Sequence, residues 1–189
     1  QVLDTRLKDT GEWAVVTDKG TITCEHVVNA AGSFARQVGE WVGLDLPIVN
    51  MKHHYLVTEN LPEVTALDKE PPVIRDPKAS CYYRQEQDGI LIGPYEKSGA
   101  EACGLYGIDW GFDMELLNPE LERLDTSLEL AAERIPCWSE AGIKRVVHGP
   151  ITHTPDGGFL LGPAEALSNY WLCCGASIGI TQGPGCGKY

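Results

Sequence analysis

The chain has 189 residues, 43% of them hydrophobic, which is enough for a packed core and for one domain or a domain and a fraction. Its 27 acidic and 15 basic residues leave a formal net charge of −12, which argues against nucleic acid or an anionic membrane surface as a partner. No run approaches the ~18 apolar residues of a membrane span. Nothing at Gln1 has the signal-peptide pattern, and the chain opens without Met in strand-like residues, so the protein is expected to begin further upstream.

The stretch "EWAVVTDKGTITCEHVVNAAG" predicts a β-meander. "WAVVT" and "TITC" are strands around an Asp18-Lys19-Gly20 turn, and "HVVNA" is a third strand, apolar enough to be buried on both faces. Ser33 suits a helix N-cap, Phe34, Val38, Trp41 and Val42 form one stripe, and Gly43 ends the helix. A strand, a small-residue turn and a helix presenting that turn is how α/β proteins build a ligand site at a strand's carboxyl end. No G-x-G-x-x-G fingerprint occurs in these residues.

The β-rich "IVNMKHHYLVTEN" and a Pro-rich connection over residues 62–77 follow, then "SCYYRQEQDGILIGPYE" as a hairpin around Gln87-Asp88-Gly89. Residues 118–135 read as a helix, with Asn118 as cap, Pro119 in the first position and Leu121, Leu124, Leu128, Ala132 and Ile135 as its apolar stripe. "IKRVVHGPITHTP" is a long strand. "YWLCC" is a short buried one leading into the glycine-rich "GASIGITQGPGCGKY". A fold of mixed α/β and α+β class is expected, with domain pieces at 1–46, 47–148 and 149–189.

The seven cysteines contain no C-x-x-C pair, so reduced thiols in a cytosolic or organelle-matrix protein are expected, and no metal site. His148 and His153 lie five apart on a strand, on opposite faces, so they do not jointly bind metal. The glycine-rich end is not a phosphate loop, because Tyr189 stands where Ser or Thr is required and Gln182 where the first glycine belongs. It either presses backbone against a ligand at a helix start, or seats a helix closely on a sheet.

The blocks "VVNAAGSFARQVGEWVGLDLP", "HHYLVT", "VIRDPKASCYYRQEQDGILIGPYE", "GPITHTPDGGFLLGP" and "NYWLCCGASIGITQGPGCGKY" together resemble the FAD-dependent amine oxidoreductases of the D-amino-acid-oxidase superfamily, and within it the dimethylglycine and sarcosine dehydrogenase family. The resemblance runs essentially end to end. It implies an interior piece of such an enzyme. Residues 1–46 and 149–189 would belong to a Rossmann-like FAD-binding domain with its β-meander, and residues 47–148 to a β-sheet substrate domain covered by a helix. It further implies FAD as cofactor, a small N-methylated amino acid as substrate, electron-transfer flavoprotein as acceptor, tetrahydrofolate through a folate domain beyond Tyr189, and a cytoplasmic or mitochondrial-matrix location.

Carried over by position, the resemblance places Val2 on the adenine-contacting strand. It sets Ala30, Ala31 and Gly32 in the small-residue turn, with Phe34 as the aromatic that follows. The turn near the flavin ring falls on Gly175, Ser177, Ile178, Gly179, Ile180, Thr181 and Gln182, with a helix beginning near Thr181. The histidine facing the flavin from the substrate side falls on His53. The substrate-side tyrosine falls on Tyr82, or on Tyr83 in the other register. Strand alternation lets only one of His53 and His54 face a given pocket. Both tyrosines are also good strand formers, and the residues alone would assign them to packing. The resemblance leaves a second reading, a non-catalytic relative like the pyruvate dehydrogenase phosphatase regulatory subunit.

Overall fold

Alternating residues at the amino end build an antiparallel meander, as expected. In the computed structural model, which describes residues 1–96 and 100–188, β1 (Val2–Leu7), β2 (Trp13–Thr17) and β3 (Gly20–Cys24) pair in chain order. Next come β4 (Val27–Asn29), a turn of 3-10 helix over Gly32–Phe34, and helix α1 (Ala35–Glu40). Ser33 does not cap this helix. The turn is tied instead through Asn29, whose amide donates to the Ala35 carbonyl at 2.9 Å and whose Oδ1 accepts from the Ala31 N–H at 3.3 Å. Gly43 closes the segment with φ +79°, a conformation that favours glycine.

The strand β5 (Val49–Thr58) is followed by α2 (Pro62–Thr65), β6 (Ile74–Asp76), β7 (Cys81–Glu86), β8 (Gly89–Pro94) and β9 (Ala102–Gly104). The hairpin expected around Gln87-Asp88 is β7–β8, with Glu86 opposite Gly89 and Gln87 at φ +56°. Helix α3 spans Asp125–Arg134, and β10 spans Ile143–His153. The helix expected over 118–135 is shorter than its apolar stripe. Its first turn, Leu121–Leu124, is 3-10, and Asn118 does not act as a cap because its carbonyl is taken by the ring of His148 at 2.5 Å. The chain finishes with β11 (Leu160–Pro163), β12 (Tyr170–Cys174) and α4 (Gly179–Cys186). Tyr189, on which the phosphate-loop argument turned, lies outside the described residues.

The chain divides into two units. One comprises Gln1–Met51, Ala102–Asp113 and Ile151–Tyr189, and the other Lys52–Glu101 and Met114–Pro150. In the first, the sheet order is β11-β12-β4, with β12 antiparallel to β11 and parallel to β4. The β4 strand is not buried on both faces as its apolar residues suggested: Val28 is 59% exposed, on the same face as its exposed ladder partner Trp171 of the central strand β12. Nor is "YWLCC" buried throughout. Tyr170 and Cys174 point inward, whereas Trp171 and Cys173 are exposed, the alternation of a strand with one covered face. Trp13 packs on Tyr170 with ring centroids 5.1 Å apart, and its indole N–H donates to the Ser168 carbonyl at 2.9 Å. A second cluster joins Ala35, Leu46, Ile48 and Cys174.

The second unit carries β5, β8, β7 and β6 as neighbours in that order. One face of this sheet is apolar. Leu56, Cys81, Tyr83 and Ile92 are buried there with Ala131 of α3, while Leu128, Ala132 and Ile135 pack at the margin. Burying a side chain such as Leu56 or Ile92 contributes about 2 kcal/mol. Because that face is filled, period-2 alternation sends His53, Tyr55 and Tyr82 to the other.

Candidate active site

The opposite face of the second unit's sheet, away from α3, gathers polar aromatic side chains. The His53 ring lies 4.6 Å from that of Tyr95 and 6.4 Å from that of Tyr82, and the two tyrosine rings are 5.7 Å apart. Tyr82 sits opposite Gly93 in the β7–β8 ladder, and a Cβ at Gly93 would meet the Tyr82 ring at 2.0 Å. The glycine therefore lets the phenol lie flat across the neighbouring strand. Burial, with Tyr95 and Tyr55 adding to it, pushes the Tyr82 hydroxyl up to about 12, so it remains a proton donor throughout the physiological range. Arg75 follows from register: it pairs with Tyr82 on β6–β7, and its guanidinium carbon stands 4.9 Å from the Tyr95 ring centroid.

His54 points the other way. It is 1% exposed and stacks on His148 with centroids 3.6 Å apart. Its Nε2 accepts the Glu120 backbone N–H at 3.2 Å, so its own proton is on Nδ1. Burial, reinforced by His148, pushes His54 down to about 4. Beside this pair, Arg123 bridges Glu96 at 2.8 Å and Glu120 at 3.0 Å, and Lys52 reaches Glu120 at 2.7 Å. His54 is thus a neutral structural imidazole, and of the two adjacent histidines His53 is the one on the aromatic face.

In the first unit the parallel pair β4 and β12 ends on two small-residue turns at the carboxyl end of the strands, Ala30-Ala31-Gly32 and Gly175-Ala176. Gly32 has φ +57° and a Cβ there would meet nothing within 4 Å, so the space over this turn is open. Gly175 has φ +74°, and a Cβ there would meet Thr154 Cγ2 at 2.6 Å. Helix α4 begins at Gly179, two residues before the expected start at Thr181, and has no side-chain cap. Ile178 and Ile180 are exposed, the latter completely, and Ser177 and Ile178 form the approach to the helix. Val2, Ala31 and Phe34 line one cavity of about 530 Å³ with Val38, Trp41 and Trp110, and Trp110 stacks between Phe34 and Trp41 at 5.4 and 5.3 Å. Val2, Ala30 and Ala31 also line an adjoining cavity of about 440 Å³ with Val28, Asn29 and His26.

Adjacent parallel strands that end on small-residue turns, beside an uncapped helix start, suit a nucleotide-bearing cofactor. The open space over Gly32 admits its backbone-close atoms, and the free N–H groups of α4 suit an electron-rich edge.

A model of the FAD dependent oxidoreductase family matches residues 1–189. The chain belongs to this family. Dimethylglycine dehydrogenase, mitochondrial, of Mus musculus is 44% identical over 183 residues, which covers 95% of this chain and 21% of that protein. Sarcosine dehydrogenase, mitochondrial, of the same species is 35% identical over 184 residues, covering 93% of this chain and 18% of that one. The chain thus spans about a fifth of the length of these curated relatives. Among solved structures, L-proline dehydrogenase from P. horikoshii superimposes with a TM-score of 0.75 at 26% identity, covering 97% of this chain and 46% of the other.

Within this FAD-dependent oxidoreductase chain, the structure groups the expected residues by unit. His53 and Tyr82 share one face of the second unit, with Tyr83 turned into the core, so of the two registers Tyr82 is the one on that face. Val2, Ala31 and Phe34 share a cavity of the first unit. Gly32 belongs to the same turn as Ala31, and Gly175 to Gln182 run from the end of β12 into α4. Tyr95, Arg75 and Gly93 were missed. The available signal was the period-2 register: once Tyr82 is set outward, the residues paired with it are Arg75 and Gly93.

Proposed function

We propose that this chain is part of a flavin-dependent enzyme that oxidatively demethylates a small N-methyl amino acid of the dimethylglycine or sarcosine type. The observation that carries the reading is the His53–Tyr95–Tyr82 face, a histidine and phenols held clear of a filled core in a chain so similar to dimethylglycine dehydrogenase. When bound, FAD supplies a two-electron acceptor for the hydride that leaves the N-methyl carbon. The chain's own residues orient the amine and hold its proton. An amine loses hydride only as the free base, so a neutral imidazole at His53 favours that form by accepting its proton. The Tyr82 hydroxyl, protonated at neutral pH, donates to an oxygen of the substrate. The Gly179 to Gln182 helix start would stabilise negative charge developing on the flavin edge, and Val2, Ala31, Gly32 and Phe34 would line the nucleotide portion. Electron-transfer flavoprotein and tetrahydrofolate enter this reading as electron and one-carbon acceptors from the family resemblance alone, and none of the 189 residues is assigned to either. The relatives' description as mitochondrial supports the mitochondrial matrix as the site of action.

The test uses the full flavin-loaded protein that contains this chain, mixed anaerobically with dimethylglycine, sarcosine or glycine. The expected result is bleaching of the oxidised flavin by the N-methylated compounds and little by glycine. His53→Ala should slow that bleaching by about 10²-fold, the usual scale of lost acid–base assistance, with thermal stability unchanged. A flavin that none of these amines reduces points to the non-catalytic, regulatory reading.

A further inference from the structure

We propose that Arg75 binds the carboxylate of the substrate, and that the Tyr95 ring holds its guanidinium in position to do so. The proposal rests on the amine-oxidising reading above and names the group in that site which recognises the acid end. Three neighbouring cations are neutralised: on the sheet Arg84 meets Glu86 at 2.6 Å and Lys52 meets Glu101 at 2.9 Å, and from α3 Arg134 meets Asp76 at 2.9 Å. Among the described residues Arg75 has no carboxylate within ion-pair distance, although the chain carries a net charge of −12. An arginine left unpaired in so acidic a chain is available to an anion from outside it.

The geometry directs that anion to the aromatic face. Arg75 pairs with Tyr82 in the ladder, which puts its side chain on Tyr82's side of the sheet. Its guanidinium lies over Tyr95 at 4.9 Å, an arrangement that fixes the plane of the group and leaves its N–H edge free. The same ring is 4.6 Å from His53. A small amino acid whose carboxylate meets Arg75 bidentately, with a further hydrogen bond from Tyr82, therefore has its amine end placed near His53. The planar fork of arginine suits a carboxylate better than the point charge of lysine.

The experiment compares dimethylglycine with its methyl amide, which keeps the tertiary amine and removes the charge. Binding to the full flavin-loaded protein is followed through the flavin spectrum and by calorimetry, alongside turnover. The unaltered protein should bind dimethylglycine at least about tenfold more tightly than the amide, the scale of one charge-assisted bidentate contact. Arg75→Gln should bring the two ligands near parity, with the loss in KM rather than kcat, and Arg75→Lys should restore part of the preference. Tyr95→Phe should keep the preference and Tyr95→Leu should lose it, which gives a second variant should Arg75→Gln not fold. Equal binding of both ligands by the unaltered protein, or an unchanged preference in Arg75→Gln or in Tyr95→Leu, overturns the proposal. Carboxylate-selective binding that depends on Arg75 without any flavin reduction leaves the proposal standing and removes the amine-oxidising reading instead.

Discussion

At His54 the backbone N–H of Glu120 supplies the proton on the Nε2 side, and the ring is sealed against His148. A second proton at Nε2 would face that N–H donor to donor in a buried site. Folded His54 therefore holds a proton less tightly than the unfolded residue, about 4 against 6.5. Its contribution to stability is complete above pH 6.5 and is lost as pH falls toward 4. His148, Glu120, Arg123, Lys52 and Glu96 are the charged or titratable groups around it, and the hydrogen bond from Lys52 holds Glu120 below the usual carboxylate range. Equilibrium unfolding across that window should show stability falling with a slope of up to about 1.4 kcal/mol per pH unit from this residue. His54→Gln should be less stable at pH 7 and visibly flatter between pH 6.5 and 5. Parallel curves for the two proteins would show that His54 does not carry the dependence. His53, one residue away, is exposed to a different chemistry only because a strand alternates.

Among the elements, the β7–β8 hairpin shows how a missing side chain serves a present one. Gly93 is buried with an ordinary strand backbone, so conformational freedom does not explain it. The Tyr82 ring explains it, since that ring occupies the space of a Cβ. In Gly93→Ala the phenol must swing off the ladder, while the apolar face with Tyr83 and Ile92 is untouched. Thermal stability should fall by no more than about 1–3 kcal/mol, the usual scale of overpacking, whereas KM for the N-methyl substrate should rise by tenfold or so. An unchanged KM with a large loss of stability would mean that Tyr82 serves packing alone. The glycine-rich turn before α4 behaves differently. There Gly175 is required by φ +74° and by Thr154, whereas a Cβ at Gly179 would only press on Ala176 at 3.3 Å. Gly175 therefore seats the turn on the fold, and Gly179 is the position where a ligand-facing role is separable from folding. The hairpin and the meander were legible from turn residues and alternation. The 3-10 start of the α3 segment was not, because Asn118 is drawn to His148, a residue 30 positions away.

For the molecule as a whole, the first unit offers paired strand ends, an uncapped helix start and an open small-residue turn, but the 189 residues of the chain contain no G-x-G-x-x-G to hold a pyrophosphate. The chain of 189 residues, purified by itself, should therefore carry FAD well below one per chain. Absorbance of the purified chain, referred to its protein concentration, measures this directly. A yellow chain with one flavin each would show that these turns bind the dinucleotide without that motif. The sequence by itself determined the family, the mixed α/β class, the meander, the hairpin and the glycine-rich turn, because these rest on local backbone preferences and on long quoted blocks that match without any contact being known. Only the tertiary structure decided which of His53 and His54 is sealed in, that Arg75 and Tyr95 stand with Tyr82, and that Val28 and Trp171 are exposed. In the second unit those outcomes depend on strand register and on which face α3 covers, and in the first on which face of the β11-β12-β4 sheet is packed. A single strand's residues alternate faces in the same way whichever side becomes the core, so the choice of side is made only when residues far apart in the chain come into contact.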